Sequence, residues 1–157
     1  MSDVAPAHTL AHPILTDDYA TEWMGLEVLA LGDGSATVST TVRREMLNGF
    51  GIAHGGMLFA IADSAFALAC NPHTPAEGHN TITVASGVDV NFLAPAHEGE
   101  RITAVATRRA QAGRSGVYDV QVFSSPADQA RVAAGEDEAP GRIVAEFRGR
   151  SRTIPQR

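Results

Sequence analysis

Asn48, His54, Gly55, Gly56 and Asp63 are the residues whose types and spacing could do chemistry together. They lie in one stretch, residues 48–73, that reads as a glycine-rich loop feeding the longest apolar helix in the sequence. A helix apolar on nearly all faces is buried. Aspartate forms helix poorly and is rarely buried without a partner. Alone, Asp63 fits equally a structural acid satisfied by backbone or arginine and a reacting group. Gly55 and Gly56 are expected to open the helix, where unpaired backbone N–H groups and the helix dipole make an oxyanion site. Glycine also lets a substrate approach that backbone closely. An activated water or a carboxylate nucleophile would complete an acyl-transfer site. His54 reads equally as a turn-forming hydrogen bonder, and Asn48 alone is more often a turn residue.

Spacing adds a constraint. Asp63 lies eight residues past Gly55, or about 12 Å along a helix axis. One carbonyl cannot meet both on the same helix. If both act on one group, they come from two helices, which implies a two-fold dimer with composite sites.

Other chemistries fall away. Gly49-x-Gly51 runs on to His54 where a dinucleotide fingerprint needs glycine. There is no P-loop lysine, no G-x-S-x-G elbow and no zinc-like Cys/His spacing, so no metal is expected. His8 and His12, four apart, could form a metal pair on a helix, but a solvated arm is the favoured reading. At 157 residues, 44% hydrophobic and a net charge of -6, the chain suits one soluble globular domain, residues 1–157, and argues against nucleic-acid binding. The single Cys70 excludes an internal disulfide and fits a reducing cytoplasm. The N-terminus has no signal-peptide pattern. The run from Met57 to Cys70 is too short and too interrupted to span a membrane.

The elements that must position these residues are legible in part. Thr16 is expected to cap a short helix that runs to about Met24 and ends at Gly25. Strands over 26–31 and 35–42 flank Gly32-Asp33-Gly34, with Ala36, Val38, Thr40 and Val42 on a half-buried face. A long strand over 81–93 puts Ile82, Val84, Val88, Val90 and Phe92 on one face, with a bulge or close approach at Ser86-Gly87. Further strands cover 102–110, 117–123 and 143–153, with a turn over 111–116. Residues 1–13 read as a loose arm and 124–141 as a long solvated loop. Cys70, Met46 and Met57 read as core, and Arg108, Arg109 and Arg114 as surface charge. Runs of strands with one long apolar helix predict an α+β architecture, an antiparallel sheet curled around that helix. One sheet face is left to be covered, which points to dimerisation.

The segment Met46-Leu47-Asn48-Gly49…His54-Gly55-Gly56-x-Leu58-Phe59-x-x-Ala62-Asp63-x-Ala65-Phe66-Ala67-x-Ala69-Cys70-Asn71 resembles the hotdog-fold acyl-CoA thioesterases. Within them it is most similar to the branch acting on phenylacetyl-CoA in phenylacetate degradation. The likeness continues in Asn91-Phe92-Leu93-x-Pro95-Ala96, in Gly113-Arg114-Ser115-Gly116-Val117-Tyr118-Asp119-Val120 and in Phe147-Arg148-Gly149-Arg150-Ser151, so it spans about 25–153.

The resemblance implies a catalytic carboxylate at Asp63, as nucleophile or general base. It also implies a carbonyl-polarising amide at Gly55, with His54 and Asn48 orienting thioester and water from the opposite subunit. Arg108, Arg109, Gly113, Arg114 and Ser115 fall where the family holds coenzyme A, and Ser64, Thr83 or Ser86 remain open as a water-holding hydroxyl. It implies a homotetramer of two dimers, and no cofactor, since coenzyme A is part of the substrate. The expected activity is hydrolysis of aryl- or arylacetyl-CoA. The rivals are an enoyl-CoA hydratase or dehydratase on the same fold and a non-catalytic acyl-CoA sensor, which would gain nothing from burying a charge.

Overall fold

Long strands with alternating apolar residues need a cover on one face, and the single long helix supplies it. The computed structural model describes residues 9–127 and 141–157. Its elements are α1 (Tyr19–Met24), β1 (Glu27–Gly32), β2 (Ser35–Thr41), α2 (Gly55–Cys70), β3 (Thr81–Phe92), β4 (Arg101–Ala112), β5 (Ser115–Ser125) and β6 (Arg142–Pro155). The strands form one antiparallel sheet in the order β1-β2-β4-β5-β6-β3, with β3 at an edge.

Register explains the core. One cross-strand row aligns Ala36, Ala106, Val120, Phe147 and Val90, and the next aligns Val38, Ala104, Val122 and Ala145. Alanines among larger side chains leave room for α2, which buries Leu58, Ile61, Ala62, Ala65, Phe66, Leu68 and Ala69. Phe66 packs edge-on to Tyr118 at 5.4 Å and tilted to Phe147 at 5.8 Å. A Cβ at Gly149 would stand 2.8 Å from the Phe66 ring, so this strand glycine marks where helix meets sheet.

Several local expectations change. Asp18, not Thr16, caps α1: its carboxylate accepts from the Thr21 N–H at 3.1 Å and the Thr21 hydroxyl at 2.7 Å. Thr16 instead closes a preceding 3-10 turn, Pro13–Leu15. Gly25 ends α1 in the left-handed conformation, as expected.

Residues 9–13 are docked rather than loose, because the Leu10 N–H donates to the Val28 carbonyl at 3.0 Å. His12 is buried, 5% exposed, not solvated. Its Nδ1 accepts from the Ile14 N–H at 3.2 Å and its Nε2 meets the Asn71 carbonyl at 3.1 Å. Burial holds its pKa below the usual histidine value. The rest of the predicted arm, with His8, lies outside the described residues.

In β2 both faces are buried, not one, since Thr37 and Ser39 are covered as well as Val38. Ser39 can be buried because its hydroxyl donates to the Ile102 carbonyl at 2.8 Å. In β3 the predicted interruption is a bulge between Ala85 and Gly87. The extra residue shifts the alternation by one. Thr83 and Ala85 therefore share the face of Val88 and Val90, while Ile82 and Val84 face the other way, so the five apolar residues do not line one face.

The turn between β4 and β5 is only Gly113-Arg114, because both strands run further than expected. Ser124 and Ser125 belong to β5, and residues 128–140 of the predicted loop lie outside the described residues. Cys70 is half-buried and packs against the core. Its thiol donates to the Ala67 carbonyl, and burial pushes its pKa up to about 12.

The outer face of the sheet is polar. Asp119 pairs with Arg148 at 2.7 Å and Arg109 at 3.3 Å, Asp89 with Arg150 at 2.8 Å, and Gln121 donates to Glu146 at 3.0 Å. Exposed apolar side chains stand at Phe59 on α2, at Phe92 and Leu93 at the end of β3, and, on the outer face itself, at Val84 and Ile154. Among the described residues no helix is long and apolar enough to cross a membrane.

Candidate active site

The loop before α2 is shaped by its own side chains. Asn48 Oδ1 accepts from the Phe50 N–H at 2.9 Å and the Ile52 N–H at 3.4 Å, and the Asn48 N–H donates to the Ile52 carbonyl at 2.8 Å. Gly51 takes the positive φ of 75° that this doubling-back needs. The His54 N–H is anchored to the Met46 carbonyl at 2.8 Å.

His54 is the N-cap of α2, with Nδ1 accepting from the Gly56 N–H at 3.0 Å. A neutral imidazole used this way carries its proton on the exposed Nε2. With the Gly56 amide taken, the Gly55 N–H is left without an acceptor among the described residues. The Phe92 ring lies against Gly55, 3.2 Å from where a Cβ would stand.

Asp63 sits two turns further along α2. It is half-buried rather than enclosed, since the helix stripe through Gly56, Phe59, Ala60, Asp63 and Ala67 is not covered by the sheet. It makes no hydrogen bond or ion pair with any described residue, and burial raises its pKa above the usual carboxylate range. It lines a cleft of about 230 Å³ between α1 and α2, walled by Ile14, Leu15, Met24, Ala60 and Leu68. Ser64 shares the cleft, its hydroxyl donating to the Ala60 carbonyl at 2.9 Å. The alternatives are engaged elsewhere, Thr83 with the Thr153 hydroxyl at 2.8 Å and Ser86 with the Arg150 carbonyl at 3.0 Å. Within one chain, Asp63 and Gly55 are separated by the eight-residue rise of α2, about 12 Å.

The residues expected to hold coenzyme A divide into two groups. Arg108 is bound to Asp33 by two hydrogen bonds of 3.0 and 3.1 Å at the β1–β2 hairpin, and Arg109 pairs with Asp119. Gly113, Arg114 and Ser115 form the exposed β4–β5 turn. Ser115 lines a groove of about 320 Å³ with Ser86, Gln111, Arg150 and Ser151.

Sequence reasoning missed both the groove's Arg150 and the cleft walls Ile14, Leu15 and Met24. Arg148, Arg150 and Arg152 recur at period two, a visible sign of one basic strand face. The cleft walls carry no such sign, because the Pro13–Leu15 turn, α1 and α2 come to line one cleft only in the folded chain.

A curved antiparallel sheet closed on one long helix, with a free acid on that helix, defines a hotdog-fold thioesterase architecture. The chain belongs to the thioesterase superfamily, which its residues 50–131 match. It is 35% identical to the acyl-coenzyme A thioesterase PaaI of Escherichia coli over 144 residues, 92% of this chain and 89% of that protein. The structure of the E. coli PaaI protein from the phenylacetic acid degradation operon superposes with a TM-score of 0.75 at 33% identity, covering 91% of this chain and 89% of that one. A phenylacetic acid degradation protein PaaI from Thermus thermophilus gives 0.69 at 35%, covering 86% and 98%. A Streptococcus mutans protein solved bound to acetyl CoA, 19% identical with a TM-score of 0.65 and coverage of 84% and 90%, shares the fold.

Proposed function

We propose that this protein hydrolyses acyl-CoA thioesters whose acyl part is an aryl or arylacetyl group, giving the free acid and coenzyme A. The observation that carries this is Asp63, a carboxylate with no partner among the described residues, set in a mostly apolar cleft whose other acid, Asp18, is held by Thr21. A binding module gains nothing from such a charge. Apolar surroundings raise its basicity, which suits a group that must take a proton from water or attack a carbonyl near neutral pH.

The cleft's chemistry selects the acyl group. Its volume of about 230 Å³ exceeds the roughly 150 Å³ of an apolar cavity that takes up benzene, so one ring fits. With the ring seated, the thioester carbonyl lies near Asp63. Either Asp63 accepts a proton from water as the water oxygen bonds to the carbonyl carbon, or its carboxylate bonds there first and water later cleaves the anhydride. In both routes the C–S bond breaks and the coenzyme A thiolate leaves and takes a proton. The developing oxyanion needs a preorganised donor, and the Gly55 N–H of a second subunit supplies it. His54 Nε2–H adds an orienting donor, while Asn48 acts by holding the loop.

Two copies meet along the β3 edge and the open stripe of α2, where exposed Phe59, Phe92 and Leu93 gather. Two such dimers make the tetramer. The Arg114–Ser115 turn and the Arg150 groove, with Arg108 and Arg109 nearby on β4, hold the nucleotide end of coenzyme A; Arg108, Arg109 and Arg150 each exchange an exposed carboxylate partner for phosphate. No other cofactor takes part, and a reducing cytoplasm suits the chain's one cysteine.

Thiol release across acetyl-, long-chain and phenylacetyl-CoA tests the proposal. The highest kcat/KM is expected with the aromatic ester. Hydration of an enoyl-CoA with no thiol release from any ester would overturn it.

A further inference from the structure

The cleft beside Asp63 is walled mostly by aliphatic and small side chains, with Asp18 and Thr21 at the α1 side, and no aromatic residue among the described residues lines it. An aromatic acyl group prefers edge-on or offset contact with another ring. The ring that supplies it must come from outside the cleft.

Phe50 answers that description. It is 90% exposed, the most exposed of the large apolar residues described. Its position is not slack: Gly49 and Gly51 flank it, and its N–H is held at 2.9 Å by Asn48 Oδ1. The same loop carries His54, whose N–H is anchored to Met46. Phe50 lies four positions before His54, a reach of at most about 14 Å that the doubled-back loop shortens.

We infer that Phe50 of one subunit closes the acyl cleft of the other and sets its preference for aromatic acyl groups. This rests on the composite site proposed above: if His54 and Gly55 address the thioester held near the partner subunit's Asp63, Phe50 is carried to the mouth of that cleft. Phe50 is then a specificity residue acting in trans. It touches the acyl ring and takes no part in proton transfer.

The test measures the ratio of kcat/KM for phenylacetyl-CoA to that for acetyl-CoA. Phe50→Ala is expected to lower this ratio about tenfold, the weight of one aromatic contact. Phe50→Leu, which keeps bulk without a ring, lowers it as well.

Doubly tagged heterodimers then locate the effect. Wild type paired with the double variant Asp63→Asn/Phe50→Ala has one working acid, facing a loop without Phe50, and its ratio falls. Phe50→Ala paired with Asp63→Asn has its working acid facing an intact loop, and its ratio stays that of the wild type. An unchanged ratio in Phe50→Ala, or a ratio that follows the subunit bearing the working acid, overturns the inference and leaves the thioesterase reading standing. An Asp63→Asn homodimer with full activity overturns that reading itself.

Discussion

Replacing Asp63 with asparagine should make the protein more stable while removing its activity. Burial raises the Asp63 pKa, so the folded state holds the proton more tightly than the unfolded chain does. A raised acid contributes stability that is full below the ordinary aspartate pKa and is lost as pH rises through the raised one. At pH 7 the wild type therefore carries the cost of a half-buried charge that no described residue neutralises.

Unsatisfied buried polar groups cost about 1–3 kcal/mol. Because Asp63 is only half-buried, the lower end applies, about 1 kcal/mol, or roughly 2–4 °C in Tm for a chain of this size. Aspartate and asparagine have similar helix propensity, so α2 itself is not at issue. The assay is thermal unfolding of wild type and Asp63→Asn at pH 7 and again near pH 3. The gain should be present at pH 7 and vanish in acid. Turnover at pH 7 should fall by about a hundredfold or more, the usual weight of a general base. A variant less stable than wild type at pH 7, or equally stable at both, would refute the argument that this acid is held against its solvation preference.

Three further outcomes follow from packing and titration. Gly149→Ala forces a methyl against the Phe66 ring 2.8 Å away and should cost about 1–3 kcal/mol in urea unfolding. Pairing it with Phe66→Leu should recover part of that loss. His12, whose pKa burial lowers, should contribute stability above the ordinary histidine pKa that is lost as pH falls toward the depressed value. His12→Asn should flatten that acid limb in a stability–pH profile. Asn71→Ala removes three hydrogen bonds of 2.9 Å that tie the end of α2 to Thr83 and Ala67. It should cost about 2 kcal/mol or more and speed amide exchange at the start of β3.

What could be read from the chain without coordinates was mostly local. The start of α2 at Gly55, the bulge at Ser86-Gly87 and the end of α1 at Gly25 each follow from residues adjacent in sequence, and the structure has all of them. The faces of β3 do not follow from simple alternation, because the extra residue at the bulge between Ala85 and Gly87 inverts it midway along the strand. His12 looked solvated because its burial depends on Asn71, 59 residues away. The pairing of Arg108 with Asp33 could not be read from the chain, because the two lie 75 residues apart. At the site, the chemistry-bearing residues stood out by type. The walls of the Asp63 cleft did not, since Ile14, Leu15 and Met24 are ordinary apolar residues until the fold brings them to one cleft.

The central claim is that Asp63 of one subunit and the His54–Gly55 loop of another act on the same thioester. Mixing subunits tests it most directly. Asp63→Ala and His54→Ala, each inactive alone, form a heterodimer with one intact site and one doubly damaged site. Thiol release from a random equimolar mixture should recover to about a quarter of wild type, since about half the dimers are mixed and each has one of two sites. Verified heterodimers that release no more thiol than either parent would contradict the account.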